Sequence, residues 1–132
     1  MLRYGYLPSD YHPMMLLLGE QRDLERLAEV LAEFARRPRT VPLSDLVTVH
    51  PAAHVTIALQ PGATGLQPGP RAGDYVWGMT ADAAAAFAEL VGALARPECS
   101  AGSEQLEVGA AGEIPVKVSR GEFTDDFLVE TH

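Results

Sequence analysis

Two stretches of the chain carry the same order of patterns, and this repetition constrains the fold more than any other feature of the sequence. In each stretch a short apolar run precedes a helix-like segment that ends at a proline, and two strand-like runs follow. When the chain is shifted by 60 positions, Leu27 falls on Phe87 and Leu31 falls on Val91. The sequence therefore predicts two copies of one strand–helix–strand–strand unit.

The first unit opens with the run Met14–Leu18, which is short and apolar, as buried strands are. Over residues 21–37 the apolar side chains recur at the spacing of an amphipathic helix, and Pro38 ends it. The runs Leu46–Val49 and Val55–Leu59 predict two strands, with a hairpin turn between them.

The second unit repeats this order. Tyr75–Trp77 predicts a strand, Thr80 is a suitable N-cap for the helix that follows, and Pro97 ends that helix. The runs Gln105–Val108 and Pro115–Ser119 predict the last two strands. Aligning the final strands of the two units requires an offset of 61, which places Val55 on Val116.

These patterns predict one α+β domain over residues 1–132, with pseudo-repeat halves at about 14–60 and 74–132. We expect one mostly antiparallel sheet with both helices packed on one of its faces. The other face is then open to solvent or to a partner. An apolar open face favours a homodimer, whereas a polar or acidic one favours a protein partner.

Charge is concentrated towards the C-terminus. The net charge is −8, and residues 98–132 hold eight acids against Lys117 and Arg120, a net −6. The acids are Glu98, Glu104, Glu107, Glu113, Glu122, Asp125, Asp126 and Glu130. Such a field repels nucleic acid and anionic membranes and attracts basic partners, so we expect neither nucleic acid nor membrane as a partner. The alternative is that the acids only keep the protein soluble.

No motif in the chain predicts catalysis, a metal site or a bound cofactor. His50 and His54 flank a predicted turn instead of sharing a helical face, and no third metal ligand lies nearby. Residues 9–12, Ser-Asp-Tyr-His, lie too close together in a loop to form a triad. The glycines of residues 62–73 lack the strand-to-helix junction of a phosphate loop. We therefore expect a protein that is not an enzyme, and an unrecognised active site is the alternative.

The compartment follows from two further observations. Cys99 is the single cysteine, which excludes an intramolecular disulfide and fits a reducing environment. The N-terminus lacks the apolar run of a signal peptide, and the apolar runs elsewhere are too short to cross a membrane. We expect a cytoplasmic protein.

Residues 121–128 alternate aromatic and acidic side chains directly after a predicted strand. Phe123, with charged neighbours, has the composition of an interface anchor, and Trp77 is a second candidate. For both aromatics the alternative is a place in the core.

The C-terminal segments 101–107, Ala-Gly-Ser-Glu-Gln-Leu-Glu, and 116–123, Val-Lys-Val-Ser-Arg-Gly-Glu-Phe, resemble a family of small bacterial proteins of unassigned function. That family pairs a Ser-Gly-His-Gln-Tyr-Leu-Glu segment with a Val-Ser-x-Gly-Glu-Tyr/Phe segment. Ser103 stands at its histidine and Gln105 at its tyrosine. Some members resemble immunity proteins that neutralise secreted toxins.

The resemblance implies a non-catalytic domain that binds a protein partner, and the acidic charge fits a basic toxin. We expect five carboxylates to steer this partner and two aromatics to anchor it. The steering residues are Glu104, Glu107, Glu122, Asp125 and Asp126, and the anchors are Phe123 and Trp77. A self-associating structural domain is the alternative function.

Overall fold

The computed structural model describes residues 2–7, 13–50, 55–99 and 101–120. They form eight strands, two α-helices and a short 3-10 helix at Leu43–Asp45. In chain order the elements are β1 (Arg3–Leu7), β2 (Met14–Leu18), α1 (Gln21–Arg36), β3 (Val41–Pro42), β4 (Thr56–Pro61), β5 (Gly65–Pro68), β6 (Asp74–Met79), α2 (Ala81–Leu94), β7 (Gly102–Leu106) and β8 (Val116–Arg120). The predicted α+β class is confirmed.

Both helices begin at residues that satisfy free backbone N–H groups. At α1 the side chains of Glu20 and Asp23 form a reciprocal capping box, in which the Glu20 N–H donates to Asp23 Oδ2 at 2.8 Å. At α2 the Thr80 hydroxyl accepts from the Ala83 N–H at 3.1 Å, as predicted. Each helix then buries one stripe of side chains.

The strands form two four-stranded mixed sheets, with orders β1-β2-β8-β7 and β3-β4-β6-β5. This corrects the prediction of a single sheet. Among the described strands, four of the six pairs are antiparallel and two are parallel. Each sheet combines strands from both halves: β2 pairs with β8 in parallel, and β4 pairs with β6 in parallel. The halves are therefore interwoven, and the parallel pair at the centre of each sheet joins one strand from each half.

The register shows which residues of the two halves are equivalent. Leu17 pairs with Val118 in the first sheet, and Trp77 pairs with Leu59 in the second. Since Trp77 lies 60 positions after Leu17, Leu59 corresponds to Val118, an offset of 59. The predicted offset of 61 is wrong by two residues, a slip that keeps the same side chains on the same face.

The chain between α1 and β4 differs most from prediction. Leu46–Val49 was expected to be a strand, but Leu46 follows the 3-10 helix and Val49 makes only an isolated bridge to Leu2. β4 pairs with β3 instead, so the expected hairpin is not formed. The pairing that replaces it is short because β3 contains two residues.

Side chains from both sheets and both helices join one hydrophobic cluster. The two helices contact each other closely, and a Cβ placed on Gly92 would lie 3.9 Å from Ala28 Cβ. The sheet faces that point away from this cluster differ. In the first sheet, Leu16 and Leu18 are buried on that face, whereas in the second sheet the exposed Thr56 donates to Asp74 at 2.7 Å.

Candidate partner-binding surface

Two of the predicted steering carboxylates lie on strand β7 or directly after it. Strand β7 is an edge strand of the first sheet. Glu104 lies opposite Val118, on the helix-facing side of the sheet, and is half-buried. Glu107 follows the strand, is exposed, and accepts a hydrogen bond from Gln105 Nε2 at 2.9 Å. Two of the predicted steering carboxylates therefore lie at one sheet edge.

Glu113 has a structural role in the turn that follows. Its carboxylate accepts the backbone N–H groups of Val108, Gly109 and Ala110 at 2.7, 2.8 and 3.1 Å. An added Cβ at Gly65 would overlap the same side chain, so Glu113 also fills the space beside β5. This carboxylate stabilises the β7–β8 turn, whereas the sequence pattern indicated only a surface charge.

Arg120, one of the two bases opposing these acids, is also structurally engaged. Its Nη1 donates to the backbone carbonyls of Leu94 and Arg96 at 2.7 and 3.0 Å, where α2 ends. A cation at this position satisfies free carbonyls and complements the helix dipole. The guanidinium is thus held at the end of α2.

The described part of the acidic region carries a smaller share of the charge. Residues 98–120 hold four acids and two bases, a net −2, and the four acids of residues 121–132 bring the total to −6. The predicted site residues Glu122, Phe123, Asp125 and Asp126 lie outside the described residues. Of the predicted set, the structure therefore describes Glu104 and Glu107, at the edge strand β7, and Trp77.

Trp77 lies in the core. Its side chain is fully buried and stacks on Phe87, with ring centroids 6.0 Å apart. Its indole N–H has no hydrogen-bond partner among the residues that the structure describes. A side chain with no exposed surface cannot contact a partner, so the expectation that Trp77 anchors one is corrected.

The other polar candidates are dispersed. Across the described residues, no group of three or more His, Cys, Asp or Glu side chains is arranged to hold a metal ion. His50 is exposed, while His54 and residues 9–12 lie outside the described ranges. Cys99 is half-buried, and its Sγ lies 3.5 Å from the carbonyl oxygen of Ala101. Within the described chain, neither helix is long and apolar enough to span a membrane.

The chain matches no known family model, and no curated protein or solved structure is significantly similar to it.

Proposed function

We propose that the protein is a non-catalytic acidic domain that binds a basic protein partner in the cytoplasm, and that this partner is a bacterial toxin that it inhibits. The observation that carries the proposal is the acidic excess of residues 98–132, a net −6. Charge of one sign on a small rigid domain accelerates association with an oppositely charged protein. Inhibition by occlusion requires no catalytic residue in the inhibitor.

The geometry of β7 supports the use of this charge in binding. Glu104 and Glu107 lie at a sheet edge, where a partner has access. Within the described residues, neither carboxylate forms a salt bridge. Glu113 and Arg120, in contrast, are bound to backbone groups. The steering set is accordingly Glu104 and Glu107, together with Glu122, Asp125 and Asp126 from the end of the chain.

Self-association through an open apolar sheet face has less support. The outer face of the first sheet carries leucines, but Leu16 and Leu18 are 0 % and 2 % exposed in the single chain. Side chains that are already buried offer a second copy little apolar surface. The outer face of the second sheet carries polar side chains, including Thr56 and Asp74.

The test is capture of a partner followed by measurement of its association rate. The immobilised full chain is exposed to lysate and secretome of the source cell at low and high salt. We expect a basic protein that is retained at low salt and released at high salt. Its activity should then be measured with and without the chain, and we expect the chain to suppress it.

A variant in which four of the steering acids become neutral amides makes the test specific. Replacing Glu104 and Glu107 by glutamine, with Asp125→Asn and Asp126→Asn, should slow association about tenfold or more and flatten its salt dependence. The matched control removes four exposed acids elsewhere, through Glu25→Gln, Asp45→Asn, Asp82→Asn and Glu89→Gln. Equal association rates for the two variants would overturn the assignment of the surface, and an active toxin in the presence of the bound chain would overturn the inhibitory role.

A further inference from the structure

A groove of about 310 Å³ runs along the C-terminal half of α1, beside the edge strand β3. Its floor is apolar and its rim is charged. The floor consists of Val30, Phe34, Val41 and Leu46, and the rim of Arg26, Glu29, Glu33, Arg37 and Arg39. The combination of an apolar floor and arginines in a chain of net charge −8 is what distinguishes this groove.

Both rim carboxylates are neutralised by arginines. Arg26 Nη1 lies 3.2 Å from Glu29 Oε2, and its Nε also donates to the Leu46 carbonyl at 2.9 Å. Arg36, next to the groove, binds Glu33 Oε2 at 2.7 Å. The hydrogen bond from Arg36 and the positive charges around it lower the pKa of Glu33.

Two arginines remain on the rim after these pairs are formed. Arg37 and Arg39 are exposed, and neither side chain makes a hydrogen bond or ion pair with the residues that the structure describes. Both line the same groove. The groove therefore carries an excess of positive charge beside apolar side chains.

The second half of the chain shows that the fold does not require these arginines. At the offset of 60 positions, Arg96 corresponds to Arg36, and Pro97 corresponds to Arg37. Cys99 stands at the position of Arg39. The helix of the second half thus ends without arginines at these positions, and its last carbonyls are bound by Arg120 instead. Among the described residues, neither the Arg37 nor the Arg39 side chain makes a comparable hydrogen bond to the end of α1.

We propose that this groove binds a small carboxylate with an apolar body, whose carboxylate is held by Arg37 and Arg39. The body lies against the half-buried Leu46, beside Phe34 and Val41, which are 3 % and 6 % exposed. Guanidinium groups match carboxylates in shape and charge and form paired hydrogen bonds with them. The volume lies at the lower end of the range for small-molecule sites, which limits the ligand to a compact one. This site is separate from the acidic surface and does not depend on the proposed function.

The test uses the full chain labelled with ¹⁵N and titrated with 3-phenylpropionate, with amide resonances followed by NMR. A ligand of about eleven non-hydrogen atoms should bind with a Kd on the order of millimolar. We expect the largest shifts at Phe34, Val41 and Leu46. The uncharged isostere 3-phenylpropanamide should bind about tenfold more weakly, because it lacks the charge that the arginines recognise.

Variants identify the arginines responsible. Arg37→Gln with Arg39→Gln should weaken binding of 3-phenylpropionate about tenfold while the other resonances stay in place. The control is Arg22→Gln with Arg71→Gln, which removes two exposed arginines outside the groove and should leave the affinity unchanged. Equal affinity for acid and amide, shifts scattered outside the groove, equal effects of the two double variants, or no saturable binding up to about 10 mM would each overturn the proposal.

Discussion

Replacing Glu113 by alanine should destabilise the protein more than the loss of any other single charge in its acidic region. The carboxylate accepts three backbone N–H groups, from Val108, Gly109 and Ala110. A hydrogen bond to a charged group contributes about 1.5–3 kcal/mol. Gly109 is exposed, so water replaces part of that contribution, whereas the other two residues are half-buried. We therefore expect a loss of about 3 kcal/mol in the free energy of unfolding, as for one or two such bonds.

Thermal and urea unfolding measure this loss. The entropy of unfolding is about 2.1 cal/mol/K per residue, so for a chain of 132 residues 1 kcal/mol corresponds to about 3.6 °C, and Tm should fall by about 11 °C. Glu113→Gln keeps one carbonyl acceptor and loses the charge. We expect roughly half the effect for that variant, with the urea m-value unchanged in both.

Glu107→Ala is the matched control, since it removes an exposed carboxylate six positions earlier in the chain. That carboxylate accepts a hydrogen bond from the Gln105 side chain. Its Tm should change by about 2 °C or less. Amide exchange should accelerate at Val108 and Ala110 in Glu113→Ala only. A Tm of Glu113→Ala within about 2 °C of the unaltered protein, or an equal fall for Glu107→Ala, would refute the role given to this carboxylate.

Two further changes test the helix cap and a buried phenol. Thr80→Ala should cost about 1 kcal/mol in urea unfolding, because the Ala83 N–H loses its acceptor, while Thr80→Ser should cost much less; equal losses would contradict the capping role. Burial raises the pKa of Tyr4, so the folded state holds its proton more tightly than the unfolded state. The contribution of Tyr4 to the free energy of unfolding is therefore complete below about pH 10 and is lost as the pH rises further. Between pH 8 and pH 11, urea unfolding should show a smaller loss of this free energy for Tyr4→Phe than for the unaltered protein. The same loss in both proteins would exclude Tyr4 as the source.

Periodic and capped segments were predictable from the sequence. Met14–Leu18 was predicted with the bounds that β2 has, and the helix predicted over residues 21–37 ends one residue earlier, at Arg36. β5 was not predicted, because Gly65–Pro68 contains both a glycine and a proline and shows no alternation of apolar side chains. Its backbone pairs with β6 nonetheless.

Strand partners were not predictable in the same way. The alternation of side chains identifies the buried face of a strand, and every register that differs by two residues satisfies it equally well. The pairing of Leu17 with Val118 connects the two ends of the chain, and no local pattern encodes it. The prediction of a single sheet failed for this reason, although each element of the two sheets other than β1, β3 and β5 had a counterpart in the sequence analysis.

The role of Glu113 had one signal in the sequence. It follows a segment, Gly109–Gly112, in which both glycines adopt positive φ angles of 88° and 75°. Such a turn leaves several N–H groups without strand partners, and a carboxylate directly after it is positioned to accept them. An acid after a glycine-flanked turn is a reason to consider backbone binding before assigning a surface charge.

The equivalence of the two halves indicates that the fold does not require a carboxylate at Glu104. Leu59 corresponds to Val118, and their edge-strand partners are Val41 and Glu104. The second sheet buries the valine to 6 % exposure, so the fold accepts an apolar side chain where the first sheet carries a half-buried carboxylate. Glu104→Val should therefore raise stability by about 0.2–1 kcal/mol through a cross-strand apolar pair. If binding is what retains this acid, the same variant should associate more slowly with the basic partner, and a destabilised Glu104→Val with unchanged association would show that the carboxylate is structural.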